Sequence, residues 1–72
     1  MSAFYEGLAE IFEIEPADVG PSLILAEHNW DSLAIVSTIA LVDECFDRLL
    51  AGTALARCER VSDIEVLITA AA

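Results

Sequence analysis

Apolar residues recur at helical spacing in three stretches of the chain and lose that spacing between them. Phe4, Leu8, Ile11 and Phe12 form the first stripe, with Glu6, Glu10 and Glu13 on the opposite face. That pattern predicts a helix from near Ser2 to Glu15, where Pro16 forbids continuation. Tyr5 falls at the edge of the stripe, where its ring can pack and its hydroxyl reach water. Ile35, Ile39, Val42, Phe46 and Leu49 stand four, three, four and three residues apart. They predict a longer helix over Ser32 to Leu50, with Gly52 as its C-terminal stop. Ile64, Leu67 and Ile68 mark a last helix over about Asp63 to Ala70. A capping box, Ser62-Asp63-Ile64-Glu65, introduces it with Ser62 as N-cap, and the closing alanines are expected to fray.

Between the first two helices, Pro16 to Trp30 carries Pro16, Gly20, Pro21 and Asn29 and no sustained period. It reads as a long connection with a helical turn at Ala17 to Val19. Connections of this length in small bundles are usually functional. Its apolar members Val19, Leu23, Leu25 and Trp30 are expected to pack over the core. Thr53 to Arg60 reads as a helical turn around Ala54 to Ala56, with Leu55 and Cys58 facing inward. No strand-like alternation, internal repeat or low-complexity tract is visible. The expected fold is therefore all-α: one domain over residues 1–72, a small four-helix bundle of three main helices plus one short helix.

Charge narrows the partners. The chain has 72 residues, 57% of them hydrophobic, and a formal net charge of -10. Glu6, Glu10, Glu13, Glu15, Asp18, Glu27 and Asp31 precede any basic residue, and the three bases are all arginines. Such a surface repels nucleic acid, whose recognition depends on basic side chains, and favours partners with basic patches. Ser32 to Val42, the longest uncharged run, has eleven residues, well short of the roughly 20 that span a bilayer. No basic residues precede the first apolar stretch, so no secretory or mitochondrial leader is expected and a cytoplasmic address follows by default. Cys45 and Cys58 lack any CxxC spacing and are expected as free thiols. His28, beside Glu27 and Asp31, shows no metal-ligand spacing and reads as a loop histidine.

Among the serines, Ser62 is engaged as an N-cap, Ser37 lies in mid-helix, Ser2 is terminal and Ser22 sits in an undefined loop. Ser32 differs because Asp31 before it can cap the helix, leaving the Ser32 hydroxyl free at the positive helix end, a setting that favours phosphate. A nucleophilic triad is not supported, since it needs a histidine base and an orienting acid within reach, and His28 is the sole histidine. No phosphate-binding glycine loop, paired catalytic carboxylates or dinucleotide fingerprint is present. The chain is not expected to be an enzyme. Asp-Ser-Leu alone arises by chance in roughly 2 to 3% of chains of this length, so it carries weight only together with length, charge and helix order.

With those features the chain resembles the acyl carrier proteins, whose signature is Asp-Ser-Leu at the start of the second of four helices in an acidic domain of this size. The matching features are the amphipathic first helix, the long loop and Asp31-Ser32-Leu33. Asp43-Glu44-Cys45-Phe46-Asp47 and the last helix introduced by Val61-Ser62-Asp63-Ile64 complete the likeness. The resemblance implies a phosphopantetheine arm joined by phosphodiester to Ser32, its thiol holding acyl or aminoacyl groups as thioesters for fatty acid, lipid or polyketide metabolism. It implies that Asp31 presents Ser32, and that Leu33, Ser37, Ala40, Asp43, Glu44 and Asp47 form the surface read by partners. Those partners would be a phosphopantetheinyl transferase and acyl-loading and acyl-transfer enzymes with basic patches, acting on a monomer. Housekeeping carriers usually have Gly-Ala before the signature and an acid soon after it. Asn29-Trp30, Ala34 and Ser37 stand there instead, which resembles a specialised carrier of a dedicated pathway. The alternative is an unmodified acidic helical module that docks a basic partner.

Overall fold

The computed structural model describes residues 2–70. They form an all-α bundle of α1 (Ser2–Phe12), α2 (Ser32–Phe46), α3 (Gly52–Ala56) and α4 (Val61–Ala70). Two 3₁₀ turns, Pro16–Asp18 and Leu25–His28, lie in the long connection between α1 and α2. Among the described residues no helix is long and apolar enough to cross a membrane.

Of the predicted α1 stripe, Phe4, Leu8 and Phe12 are buried; Ile11 is half-buried and Ala9, outside the stripe, completes the buried face. The helix ends at Phe12, ahead of the expected Glu15, because Glu13 takes a left-handed conformation at φ 59°. Glu13 N–H then donates to the Glu10 carbonyl at 3.3 Å and Ile14 N–H to the Ala9 carbonyl at 2.9 Å. This pair of backward bonds satisfies the last carbonyls and closes the helix before Pro16 is reached. Gly7 sets how closely α1 meets α2, since a Cβ there would stand 2.3 Å from Leu41 Cδ1.

Helix α2 corrects the sequence reading in two ways. Its buried line is Ala34, Thr38 and Val42, with Ile35, Ile39 and Phe46 half-buried and Leu49 82% exposed. The buried face is thus rotated from the expected stripe. It also stops at Phe46, not Leu50, because Asp47 turns left-handed at φ 54° and its N–H bonds back to the Asp43 carbonyl at 2.9 Å. Leu49 lies beyond that turn and leaves the helical face. Gly52 is not the stop but the first residue of α3. A Cβ on it would lie 3.7 Å from Ile39 Cδ1 and 4.0 Å from Ile35 Cγ2, so α3 rests on those two side chains. The Thr38 hydroxyl, fully buried, donates to the Ala34 carbonyl at 2.8 Å, which satisfies it inside the core.

The long connection does pack over the core, with Val19 and Leu25 buried and Leu23 and Trp30 against the same cluster. The expected turn at Ala17 to Val19 begins one residue earlier, at Pro16. The second turn and the tie to α4 were not visible in the sequence pattern. Leu25 N–H donates to the Glu59 carbonyl at 2.9 Å, Val61 N–H to Leu23 at 3.1 Å and Ser62 N–H to Pro21 at 2.9 Å. Ile24 and Arg60 form an isolated antiparallel bridge between the same segments. Leu55 is buried and Cys58 half-buried, as their inward placement requires.

The start of α4 also differs from its reading. Ser62 is the second helical residue, not the N-cap: the first amides of α4 go to the Leu23 and Pro21 carbonyls, and Asp63 Oδ2 reaches back to accept the Glu59 N–H at 2.9 Å and the Arg60 N–H at 3.1 Å. Those two amides hold the Asp63 carboxyl below its ordinary range. Glu65, the expected far member of the box, instead accepts the Tyr5 hydroxyl at 2.8 Å and so joins α4 to α1. Tyr5 is half-buried at the edge of the stripe, with its hydroxyl donating to that carboxylate. Burial, then the Glu65 carboxylate, raise the Tyr5 pKa. The expected fraying falls on Ala71 and Ala72, outside the described residues, whereas Ala70 is helical.

Candidate functional site

The approach to Ser32 is held in place before the helix begins. Asn29 adopts a left-handed conformation, φ 58° and ψ 55°, ending the Leu25–His28 turn. The residues on either side of it are pinned to one aromatic ring of α1. His28 lies 5.4 Å from Phe12, and Trp30 meets Phe12 edge-on at 6.1 Å and 62°. The Trp30 indole Nε1–H also donates to the Leu55 carbonyl at 3.0 Å. Asp31 N–H bonds to the Asn29 carbonyl at 2.8 Å, which sets the angle at which the chain enters α2.

Asp31 is extended, φ -106° and ψ -177°, and its Oδ1 accepts the Ala34 N–H at 2.9 Å. Its own carbonyl takes the Ile35 N–H at 2.9 Å. The aspartate thus does the whole work of an N-cap, as expected. Ser32, the first helical residue, is exposed. It stands where helix amides precede the intrahelical ladder and the dipole favours negative charge. There is no acid within the first turn of α2 itself.

Of the other predicted site residues, Leu33 is 73% exposed. That excludes ordinary core packing for it. Val36, 60% exposed, was missed by the sequence reading. Its signal was present: it is one turn beyond Ser32 and off the core stripe, so a large apolar residue there has no burial to explain it. Ala40, Asp43, Glu44 and Asp47 are exposed, and Ser37 is half-buried. Ser37, Ala40 and Glu44 line a groove of about 300 Å³ with Gly7, Glu10, Ile11 and Leu41. Ser37 also lines a second groove, of about 260 Å³, with Asp31, Leu33, Glu13 and His28. Val36, Ala40, Asp43 and Asp47 recur on the side of α2 that carries Ser32. The face is apolar near Ser32 and acidic at its far end. Asp47, at the C-terminal end, is roughly 22 Å along the helix from Ser32, at about 1.5 Å per residue, so the acids do not meet the serine.

The histidine and the two cysteines offer no better nucleophile. Among the described residues no hydrogen bond joins His28 to Ser32, and the imidazole packs on Phe12. Cys45 and Cys58 are unlinked and half-buried. Burial, then the nearby Asp63, push the Cys58 thiol up, opposite to what a reactive thiolate requires. Among the described residues there is also no group of three or more His, Cys, Asp or Glu side chains arranged to hold a metal ion. Compared with protein-family models, with curated proteins and with solved structures, the chain matches none.

Proposed function

We propose that this chain is a carrier protein whose Ser32 takes a covalent phosphopantetheine arm and holds acyl or aminoacyl groups for other enzymes. The single observation that carries the reading is the division of labour at the start of α2. Asp31 caps the helix through the Ala34 amide, which leaves the adjacent Ser32 hydroxyl exposed at the positive end of a 15-residue helix. The residues fit such a group. A phosphodiester on Ser32 gains the field of the helix N-terminus, and the one carboxylate beside it is turned onto a backbone amide.

When bound, the arm supplies a thiol that forms thioesters with the cargo. Everything else falls to the chain itself. Ser32 offers a primary hydroxyl as the nucleophile that displaces the nucleotide of coenzyme A on a transferase, the base being the transferase's own. Asp31 fixes the backbone from which that hydroxyl projects. Leu33 and Val36 provide apolar contact around the attachment point, and Asp43, Glu44 and Asp47 provide complementary charge for basic patches on partner enzymes. The protein acts as a monomeric, non-catalytic, cytoplasmic shuttle. Asn29-Trp30 before the serine and Ser37 after it fit a specialised pathway better than bulk fatty acid synthesis.

Incubation with coenzyme A and a broad-specificity phosphopantetheinyl transferase, followed by intact-protein mass spectrometry, tests the reading. The expected result is the addition of one arm to the wild type and none to Ser32→Ala. A wild type that gains nothing leaves the unmodified acidic docking module as the better account.

A further inference from the structure

Helices α1 and α2 meet along two rows of residues with matching spacing. Ala3, Gly7 and Glu10 stand four and three apart on α1, and Ser37, Leu41 and Glu44 stand four and three apart on α2. Gly7 brings no side chain to the contact, so Leu41 lies directly across it. The result is a surface trough made of two hollows, about 300 and 480 Å³, which share Gly7, Glu10, Leu41 and Glu44. Its floor is apolar and half-buried, formed by Gly7, Ile11, Leu41 and Cys45. Its rim is exposed, and every charge on it is negative: Glu6, Glu10 and Glu44. None of the three arginines of the chain lines either hollow. Neither do Ser32, Leu33 and Val36.

The trough restricts its own occupant. A second copy of this chain, at a net charge of -10, is repelled, and so is an anionic bilayer. A single metal ion does not match it either: among the described residues no group of three or more carboxylate, histidine or cysteine side chains could hold one. The carboxylates instead suit a partner that brings several cations spread along the trough, together with an apolar row for the floor. An amphipathic helix does both. Its side chains recur at the four-and-three spacing of the two rows, and its ridge seats in the groove between them. We infer that the α1–α2 trough docks a basic amphipathic helix of a partner protein. The apolar stripe of that helix lies on Gly7, Ile11 and Leu41, and its arginines or lysines face Glu6, Glu10 and Glu44. Docking also relieves the repulsion between Glu6 and Glu10, which stand one turn apart on α1. The site does not rest on the carrier reading, since the serine and its apolar neighbours lie outside the trough and stay open to a different enzyme.

The probe is a synthetic helical peptide with a leucine stripe flanked by arginines, titrated into Ser32→Ala so that no arm is involved, with amide shifts followed by NMR. Shifts that map to Gly7, Ile11 and Leu41 and fade with added salt are the expected result. Glu6→Gln with Glu10→Gln should weaken the peptide roughly three- to thirtyfold. Asp18→Asn with Glu27→Gln, the same loss of charge placed on the long connection, should weaken it far less. All four residues are exposed, so neither pair of changes disturbs the core. Equal weakening by the two pairs overturns the site, because net charge alone then explains the attraction. Equal binding of a peptide of the same composition with its leucines scattered also overturns it, because the apolar floor then contributes nothing. Shifts centred on Leu33 and Val36, or no binding at all, overturn it as well. Failure of the wild type to accept an arm contradicts the carrier reading and leaves this titration to decide the trough.

Discussion

Two helices of this molecule carry the same pair of residue types in opposite order at their starts, and they place the serine differently. At α2 the aspartate comes first. Asp31 stands outside the helix and reaches forward to the Ala34 amide, and Ser32 is exposed as the first helical residue. At α4 the serine comes first. Asp63 lies inside the helix and reaches back to the Glu59 and Arg60 amides, while Ser62 is half-buried with its N–H tied to Pro21. The two serines therefore stand differently: Ser32 is exposed as the first helical residue of α2, whereas Ser62 is half-buried as the second residue of α4. The surroundings follow the same division. Exposed Leu33 and Val36 flank Ser32, whereas the backbone at Ser62 is tied to the long connection.

The sharpest way to break this comparison is to give α2 the order of α4. The double variant Asp31→Ser, Ser32→Asp retains an N-cap but places no hydroxyl at the first helical position. Arm transfer should fall from complete to undetectable, with helix content by circular dichroism unchanged. Ser62→Ala, by contrast, should be modified as fully as the wild type.

Next in size is the loss of the forward cap alone. Asp31→Ala should cost about 1 kcal/mol of stability, read as a lower urea midpoint with an unchanged slope. Asp31→Asn or Asp31→Ser should recover most of it, because each still offers an oxygen to the Ala34 amide. Equal loss in all three variants would mean that the cap contributes nothing beyond its charge.

The backward bonds of Asp63 at α4 should show themselves through pH. Asp63 has a lowered folded pKa because two backbone amides bond its carboxylate. The stability it contributes is therefore present above the unfolded carboxylate pKa, about 3.9. It is lost as pH falls through the lower, folded value. Asp63→Asn should flatten that part of the acid limb in urea melts recorded at descending pH. An acid limb identical to that of the wild type would remove the pKa argument. The smallest effect is general: with seven acids up to Asp31 and no base among them, added salt should raise the melting temperature modestly by screening self-repulsion. A melting temperature indifferent to salt would show that those charges are already far enough apart.

The all-α class, the buried face of α1, the forward cap at Asp31 and the exposure of Ser32 were legible in the chain. Each depends on spacing or on a side chain that bonds within three residues of itself. What could not be read depends on distant partners. The left-handed residues Glu13 and Asp47 end their helices where glycine would be the usual choice. Ser62 was expected to cap α4, but it lies inside the helix, whose first amides are taken by the Leu23 and Pro21 carbonyls of the long connection. Val36 escaped notice because periodicity reports the buried stripe and is silent on apolar residues opposite it. The role of Trp30 rests on a carbonyl in another helix, which no local pattern encodes.

Fragmentation mass spectrometry of the chain after treatment with coenzyme A and the transferase tests the central claim most directly, because it reports which serine carries the arm. One arm located on Ser32, with Ser2, Ser22, Ser37 and Ser62 unmodified, is the predicted result. An arm on any of those four, or none at all, would contradict it.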